Sequence, residues 1–220
     1  MSVEVSVKRT TPAEPWTYEQ LNLRQREIAA RVKAGGPGAL LLSEVSPVIT
    51  RGRRTHHADL FLSASEYQVL GIELIEVDRG GFATYHGPGQ WVVFVVDHLE
   101  KLTGDSRGVR KAVHHLLSLA QDVALHFGVE AQIREGAELG LWTATGKLAA
   151  LGVHIEDRVL LHGLSFNVFQ TPASFQGLNP CGLKAPVAYL ENLISGPKEG
   201  LFEKVGEAFQ NKALARFWAH

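Results

Sequence analysis

The chain carries one cysteine, Cys181, in Asn179-Pro180-Cys181-Gly182. Far from it in sequence lies a polar glycine-rich stretch, Arg79-Gly80-Gly81-Phe82-Ala83-Thr84-Tyr85-His86-Gly87-Pro88-Gly89-Gln90. A lone thiol together with a loop rich in backbone N–H donors raises cysteine nucleophilic chemistry. The common fate of a free cysteine is otherwise that of a small, buried, inert hydrophobe. An unperturbed thiol is only about 3% thiolate at pH 7, so attack on a carbonyl needs a nearby cation or a helix N-terminus. The neighbours of Cys181 suggest an irregular loop ahead of a helical pattern from Val187 to Ile194, whose first N–H groups would favour the thiolate.

The partner of a reactive cysteine is usually histidine, but with ten histidines the sequence singles out none. Lysine is the sharper candidate. Lys147 follows Thr145-Gly146 and opens the otherwise apolar Leu148-Ala149-Ala150-Leu151-Gly152, a position from which its side chain can enter a partly dry site. Exposure on the surface is nevertheless the usual state of lysine.

The Arg79 to Gln90 stretch is either a close-fitting substrate loop or a tight double turn between two strands. It is not a phosphate loop, because the Walker lysine and hydroxyl are absent, nor does it follow the strand, G-x-G-x-x-G, helix order of dinucleotide sites. His56-His57 with Asp59, and His114-His115, match no metal-binding spacing, and adjacent side chains diverge, so no metal is expected. Arg51, Arg53 and Arg54 form one local basic cluster, and Arg107, Arg110 and Lys111 on a long helix form another. Either is a solvated face or a place for an acidic partner to dock.

The elements that must hold these residues are legible from periodicity. Thr17-Tyr18-Glu19-Gln20 is a capping box opening a helix over about 17–34, ended by Gly35-Gly36. Ala39 to Leu42, Val45 to Thr50, Ile72 to Val77 and Trp91 to Val96 are short aliphatic runs expected to be buried strands, with a short helix near 64–70. Ser106 opens the longest helix, with Val109, Val113, Leu116, Leu117, Ala120, Val123 and Phe127 inward and Gly128 as the stop. Strands over about 129–134, 139–143, 147–155 and 159–168 follow as a meander, the last pair joined at Asp157-Arg158. Pro172 to Lys184 is irregular. Val187 to Ile194 and Leu201 to Trp218 are expected helices, the latter for core packing. This order gives an α+β protein with mixed or antiparallel sheets and flanking helices, as one domain over 1–220.

With 220 residues, 45% hydrophobic and a formal net charge of −1, the chain can bury a large core and has no overall electrostatic case for nucleic acid or an anionic membrane. No apolar run is long enough to span a bilayer, and Met1 to Val5 resembles neither a signal nor a transit peptide, so a cytoplasmic location is expected.

Four segments, taken in order, resemble the lipoyl(octanoyl) transferases: Arg79-Gly80-Gly81 with Thr84 to Gln90, Gly146-Lys147-Leu148-Ala149-Ala150-Leu151-Gly152-Val153, His162-Gly163-Leu164 with Asn167-Val168, and Asn179-Pro180-Cys181-Gly182. The resemblance implies a biotin/lipoate protein ligase-like fold and an acyl thioester on Cys181 with Lys147 as its partner. It further implies an acyl and carrier site lined by Arg79, Gly80, Gly81, Phe82, Ala83, Thr84, Tyr85, His86, Ala150, Leu151, Gly152, Gly163, Leu164 and Ser165. The donor it implies is octanoyl-acyl carrier protein. The acceptors are the lipoyl domains of 2-oxoacid dehydrogenase complexes and the glycine cleavage H protein, and no cofactor is called for. Phe82 stands where a polar residue is common in that family, and Arg51 where leucine is common. The rival readings are an ATP-dependent lipoate ligase, an amidotransferase acting between lipoyl-bearing proteins, and a noncatalytic acyl- or carrier-binding module.

Overall fold

A computed structural model of the chain describes residues 3–178 and 186–219, His57 by its backbone alone. Cys181 and its motif lie outside the described residues.

The centre is a seven-stranded mixed sheet in the order β1-β2-β6-β10-β9-β8-β7. Its strands are β1 (Glu4–Arg9), β2 (Ala39–Glu44), β6 (Gln90–Val96), β7 (Gln132–Arg134), β8 (Gly140–Thr143), β9 (Gly146–Glu156) and β10 (Val159–Asn167). Strands β7 to β10 form the expected antiparallel meander, while β1 pairs parallel to β2 at the edge. A second sheet of three strands, order β4-β3-β5, holds β3 (Val48–Arg51), β4 (Glu73–Glu76) and β5 (Thr84–His86).

Strand β6 explains the layering. Its run Trp91-Val92-Val93-Phe94-Val95-Val96 is buried throughout because both sheet faces are covered. Trp91, Val93 and Val95 enter a core with α4 (Val109–His126) and α5 (Leu201–Phe217). Val92, Phe94 and Val96 face α1 (Tyr18–Lys33) and meet Tyr18, Leu21, Ile28 and Val32. Helix α1 starts as expected, with Thr17 and Gln20 closing a capping box. The Asp157-Arg158 turn has φ +50° and +65° at its two residues, the left-handed pair that a two-residue hairpin requires.

Three expectations are corrected. Val187 to Ile194 is not a helix, because Val187 bridges to Lys147 and Glu191 N–H bonds Val168 O, leaving one 3₁₀ turn at Leu190–Asn192. The long helix begins at Val109 with Gly108 as its cap rather than at Ser106, so Arg107 precedes it. The strand expected over 129–134 is confined to Gln132–Arg134. Strand β1, strand β5 and α3 (Leu99–Thr103) were not expected; α2 (Ala64–Val69) was. No helix among the described residues is long and apolar enough to cross a membrane.

Candidate active site

A cavity of about 180 Å³ opens between the α1-facing side of the large sheet and the chain from Arg79 to His86. For scale, a dry cavity of about 150 Å³ accepts benzene. Of the residues expected to line an acyl site, Arg79, Gly80, Gly81, Phe82, Thr84, His86, Ala150, Leu151, Gly152, Gly163, Leu164 and Ser165 all border it, as does Lys147. Ala83 and Tyr85 do not. Strand alternation in β5 sends Thr84 and His86 to the cavity, while Ala83 and Tyr85 join Ile49, Tyr67 and Ile72 in the core beneath the small sheet. The glycine-rich stretch is thus part loop and part strand. Tyr18, Val92, Phe94, Val113 and Leu139 are further wall residues.

Lys147 reaches this wall because of a β-bulge. Ala150 pairs with Gly140 and Ala149 with Leu141, but Trp142 pairs with Lys147, so Leu148 is the extra residue on β9. Strict alternation from Ala150 would put Leu148 on the cavity face and Lys147 behind it. The slip reverses the two, burying Leu148 and Ala149 together in the α4/α5 core and turning Lys147 to the cavity. The lysine is only 8% exposed. Its Nζ donates to Leu139 O at 3.2 Å and lies 4.9 Å from the centre of the Trp142 ring. Its stem runs over Gly140, where a Cβ would meet Lys147 Cε at 3.2 Å and Ala149 O at 2.6 Å. Lys147 N–H donates to Pro186 O (2.9 Å) and Ala188 N–H to Lys147 O (3.0 Å), so the lysine is stapled to the segment that follows the Cys181 motif. Ahead of that motif, Leu178 bridges Leu60 and Phe61 N–H bonds Gly177 O.

Arg79 acts as a clip within its own loop. Arg79 is 6% exposed, and its guanidinium donates to the carbonyls of Gly80, Phe82 and Thr50 and to Thr50 Oγ1. Loop and strand touch at Gly152, where a Cβ would lie 2.7 Å from Gly80 O, and Gly80 N–H donates to Val153 O at 3.0 Å. Phe82 lies under Arg54, whose guanidinium carbon is 4.8 Å from the ring centre, with His56 tilted against the ring at 6.0 Å.

Two buried histidines flank Tyr18. His86 stacks on the Tyr18 ring at 5.1 Å, and burial, aided by the charge of Arg79, pushes its pKa down to about 3. It is therefore neutral at pH 7 and donates from Nδ1 to Gln90 Oε1 at 2.7 Å. Gln90 Nε2 donates onward to Asn167 Oδ1, and Asn167 Nδ2 to the carbonyls of Lys147 and Ala188. A continuous polar chain thus links the cavity wall to the backbone of Lys147. His162 has φ +60° within β10, and its amide leaves the ladder to donate to Gln25 Oε1 at 2.8 Å. Burial lowers its pKa against the pull of Asp78, so Nε2–H donates to Asp78 Oδ1 (2.8 Å) and Nδ1 accepts from Tyr18 O–H (3.2 Å). Asp78, bonded by His162 and Arg26, is held well below the usual carboxylate range, and burial pushes Tyr18 up to about 12.

Of the histidines weighed as ligands, His114 and His115 turn to different partners. His115 Nδ1 lies 3.2 Å from Leu102 O and His114 faces solvent beside Ser118. A different trio, Asp78, His154 and Glu156, brings its ligand atoms within 4.8 Å of one another. Its carboxylates already pair with Arg26 and, for Glu156, Lys33, which makes it an ion-pair cluster. Sequence reasoning missed Trp142, Tyr18 and the bulge. An aromatic beside a strand lysine was visible, but nothing local signals an extra residue in a ladder.

The sequence matches the model of the lipoyl protein ligase A/B catalytic domain over residues 11–213. The chain belongs to that family. Among its curated relatives, the octanoyltransferase of Magnetococcus marinus is 37% identical over 206 residues, covering 92% of each chain. That of Geobacter metallireducens is 38% identical over 177 residues, covering 79% of this chain and 77% of the relative. A putative lipoate protein ligase from T. acidophilum with bound lipoic acid has the same fold, with a TM-score of 0.71 at 13% identity, covering 97% of this chain and 86% of the other. Lipoate-protein ligase A bound with ATP gives 0.68 at 12% identity, with 96% and 84% covered.

Proposed function

We propose that this chain is an octanoyltransferase that carries the acyl group as a thioester on Cys181, from acyl carrier protein to the lysine of a lipoyl domain. The observation that supports this most strongly is Lys147. A bulge turns it to an acyl-sized cavity, and its backbone pairs with Pro186 and Ala188, five and seven residues along the chain from the only cysteine.

In the first half-reaction the Cys181 thiolate attacks the thioester carbonyl. A new C–S bond forms, the carrier C–S bond breaks, and the departing thiolate takes a proton from the Lys147 ammonium. In the second, the acceptor amine attacks the Cys181 thioester, a C–N bond forms, the Cys181 thiolate leaves and the amine proton returns to Lys147. Lys147 serves first as the cation that favours the thiolate. Backbone N–H donors at the oxyanion contribute about 3 kcal/mol each in well-studied acyl-transfer enzymes. Thioester-to-amide transfer is downhill, so neither ATP nor a metal is called for.

Arg53 and Arg54 are exposed, and Arg54 borders the cavity, which supports docking of an acidic carrier on that side. The rival activity is ATP-dependent ligation of a free acid. Supplying a lipoyl domain with octanoyl-carrier protein and no ATP should give an octanoylated lysine. Modification seen only with octanoate and ATP would establish the ligase instead.

A further inference from the structure

We infer that Trp142 is the positioning residue for Lys147, an indole face that replaces the water the ammonium loses on burial and holds it as a cation aimed at the cavity. The inference rests on the Lys147–Cys181 reading above. An ammonium taken out of water needs new partners. Here one is the Leu139 carbonyl at 3.2 Å and another is the Trp142 ring, its centre 4.9 Å from Nζ. A π face attracts the charged amine and not the neutral one, and the attraction grows when both are desolvated. Trp142 is 4% exposed and Lys147 8%.

The arrangement is built rather than incidental. The bulge at Leu148 brings Trp142 directly across the ladder from Lys147, and residues opposite one another in an antiparallel pair share a face. Gly140, two residues before Trp142, clears the path of the lysine stem. The indole cannot rotate away, because its Nε1–H donates to Glu138 O at 2.7 Å. Arg134 Cζ lies 4.6 Å from the same ring centre and its guanidinium bonds Glu138, closing the set.

The chain has one cysteine, so the pH dependence of its alkylation by iodoacetamide reports on Cys181 alone. Wild type, Lys147→Met, Trp142→Leu and Trp142→Phe are compared, with melting temperature measured alongside. Loss of a neighbouring cation raises a thiol midpoint by about 1–2 pH units, so Lys147→Met should move by that much and Trp142→Leu by about 1 unit. Trp142→Phe, which keeps a π face, should return most of the shift. A purely structural tryptophan lowers the melting temperature and leaves the midpoint in place. Should Trp142→Leu not fold, biosynthetic fluorotryptophans keep the shape while draining the π face, and the midpoint should rise with each added fluorine. A midpoint that moves in Lys147→Met but in no Trp142 variant overturns the role of Trp142 and leaves the catalytic reading intact. A midpoint unmoved in Lys147→Met overturns both.

Discussion

Gly152→Ala tests whether the Arg79 to Phe82 segment is a wall seated on β9. The added methyl would lie 2.7 Å from Gly80 O and 3.1 Å from Arg79 Cδ, where ordinary contact begins at 3.4 Å. The nearest atom is backbone, so the loop must lift by about 0.7 Å. Overpacking of this kind costs about 1–3 kcal/mol. Lifting also stretches the 3.0 Å bond from Gly80 N–H to Val153 O, a loss of about 1 kcal/mol. Together these predict about 2–4 kcal/mol, and at about 2–4 °C per kcal/mol for a chain of this size the melting temperature should fall by roughly 4–16 °C. Because misplacement by about 1 Å can cost about 100-fold in rate, kcat/KM for octanoyl transfer should drop by about 10- to 100-fold. Gly80→Ala is the control from the same contact. Among the described residues its methyl meets only Val153 O at 3.5 Å, so it should be neutral or stabilise by about 0.4–1 kcal/mol. The assays are thermal unfolding by circular dichroism and initial rates of lipoyl-domain modification. A Gly152→Ala protein with wild-type melting temperature and kcat/KM would refute the seating of the loop.

Arg79→Lys should fail to rescue Arg79→Gln, since one ammonium cannot span the carbonyls of Gly80, Phe82 and Thr50 that the planar fork reaches. Equal thermal stability of Arg79→Lys and wild type would contradict the clip. Stability should also fall with acid. The unfolded chain protonates a histidine near pH 6.5, whereas folded His86 refuses the proton down to about pH 3, so its contribution is complete above pH 6.5 and declines by about 1.4 kcal/mol per pH unit below it. His162 acts in the same direction. Denaturant unfolding at pH 7.5, 6 and 5 should show a shallower slope for His86→Gln, and an unchanged slope would remove His86 from the account. Reversing Arg53 and Arg54 to Glu should raise KM for octanoyl-carrier protein more than for a small octanoyl thioester, and equal losses on both would dismiss the docking face.

Local signals in the sequence carried the elements whose reasons are local. The Thr17/Gln20 box, the α4 periodicity ending at Gly128 and the Asp157-Arg158 turn are each decided within a few residues. What escaped was decided by distant chain. Strand β1 exists because β2 offers a parallel edge, and β5 because Tyr85 pairs with Ile49. The apolar spacing from Val187 to Ile194 suits a helix, yet the bonds those residues make run to Lys147 and Val168. The site was legible as a set of motifs, not as geometry. Which of Arg79 to His86 faces the cavity follows from β5 alternation, and the direction of Lys147 follows from one extra residue in a ladder.

The covalent step is open to a direct measurement, intact-protein mass spectrometry after brief mixing with octanoyl-carrier protein in the absence of ATP. Wild type should gain one octanoyl group that a lipoyl domain then discharges, and Cys181→Ala should gain none. An adduct on Cys181→Ala, or octanoyl transfer by that variant at the wild-type rate, would contradict the thioester on Cys181.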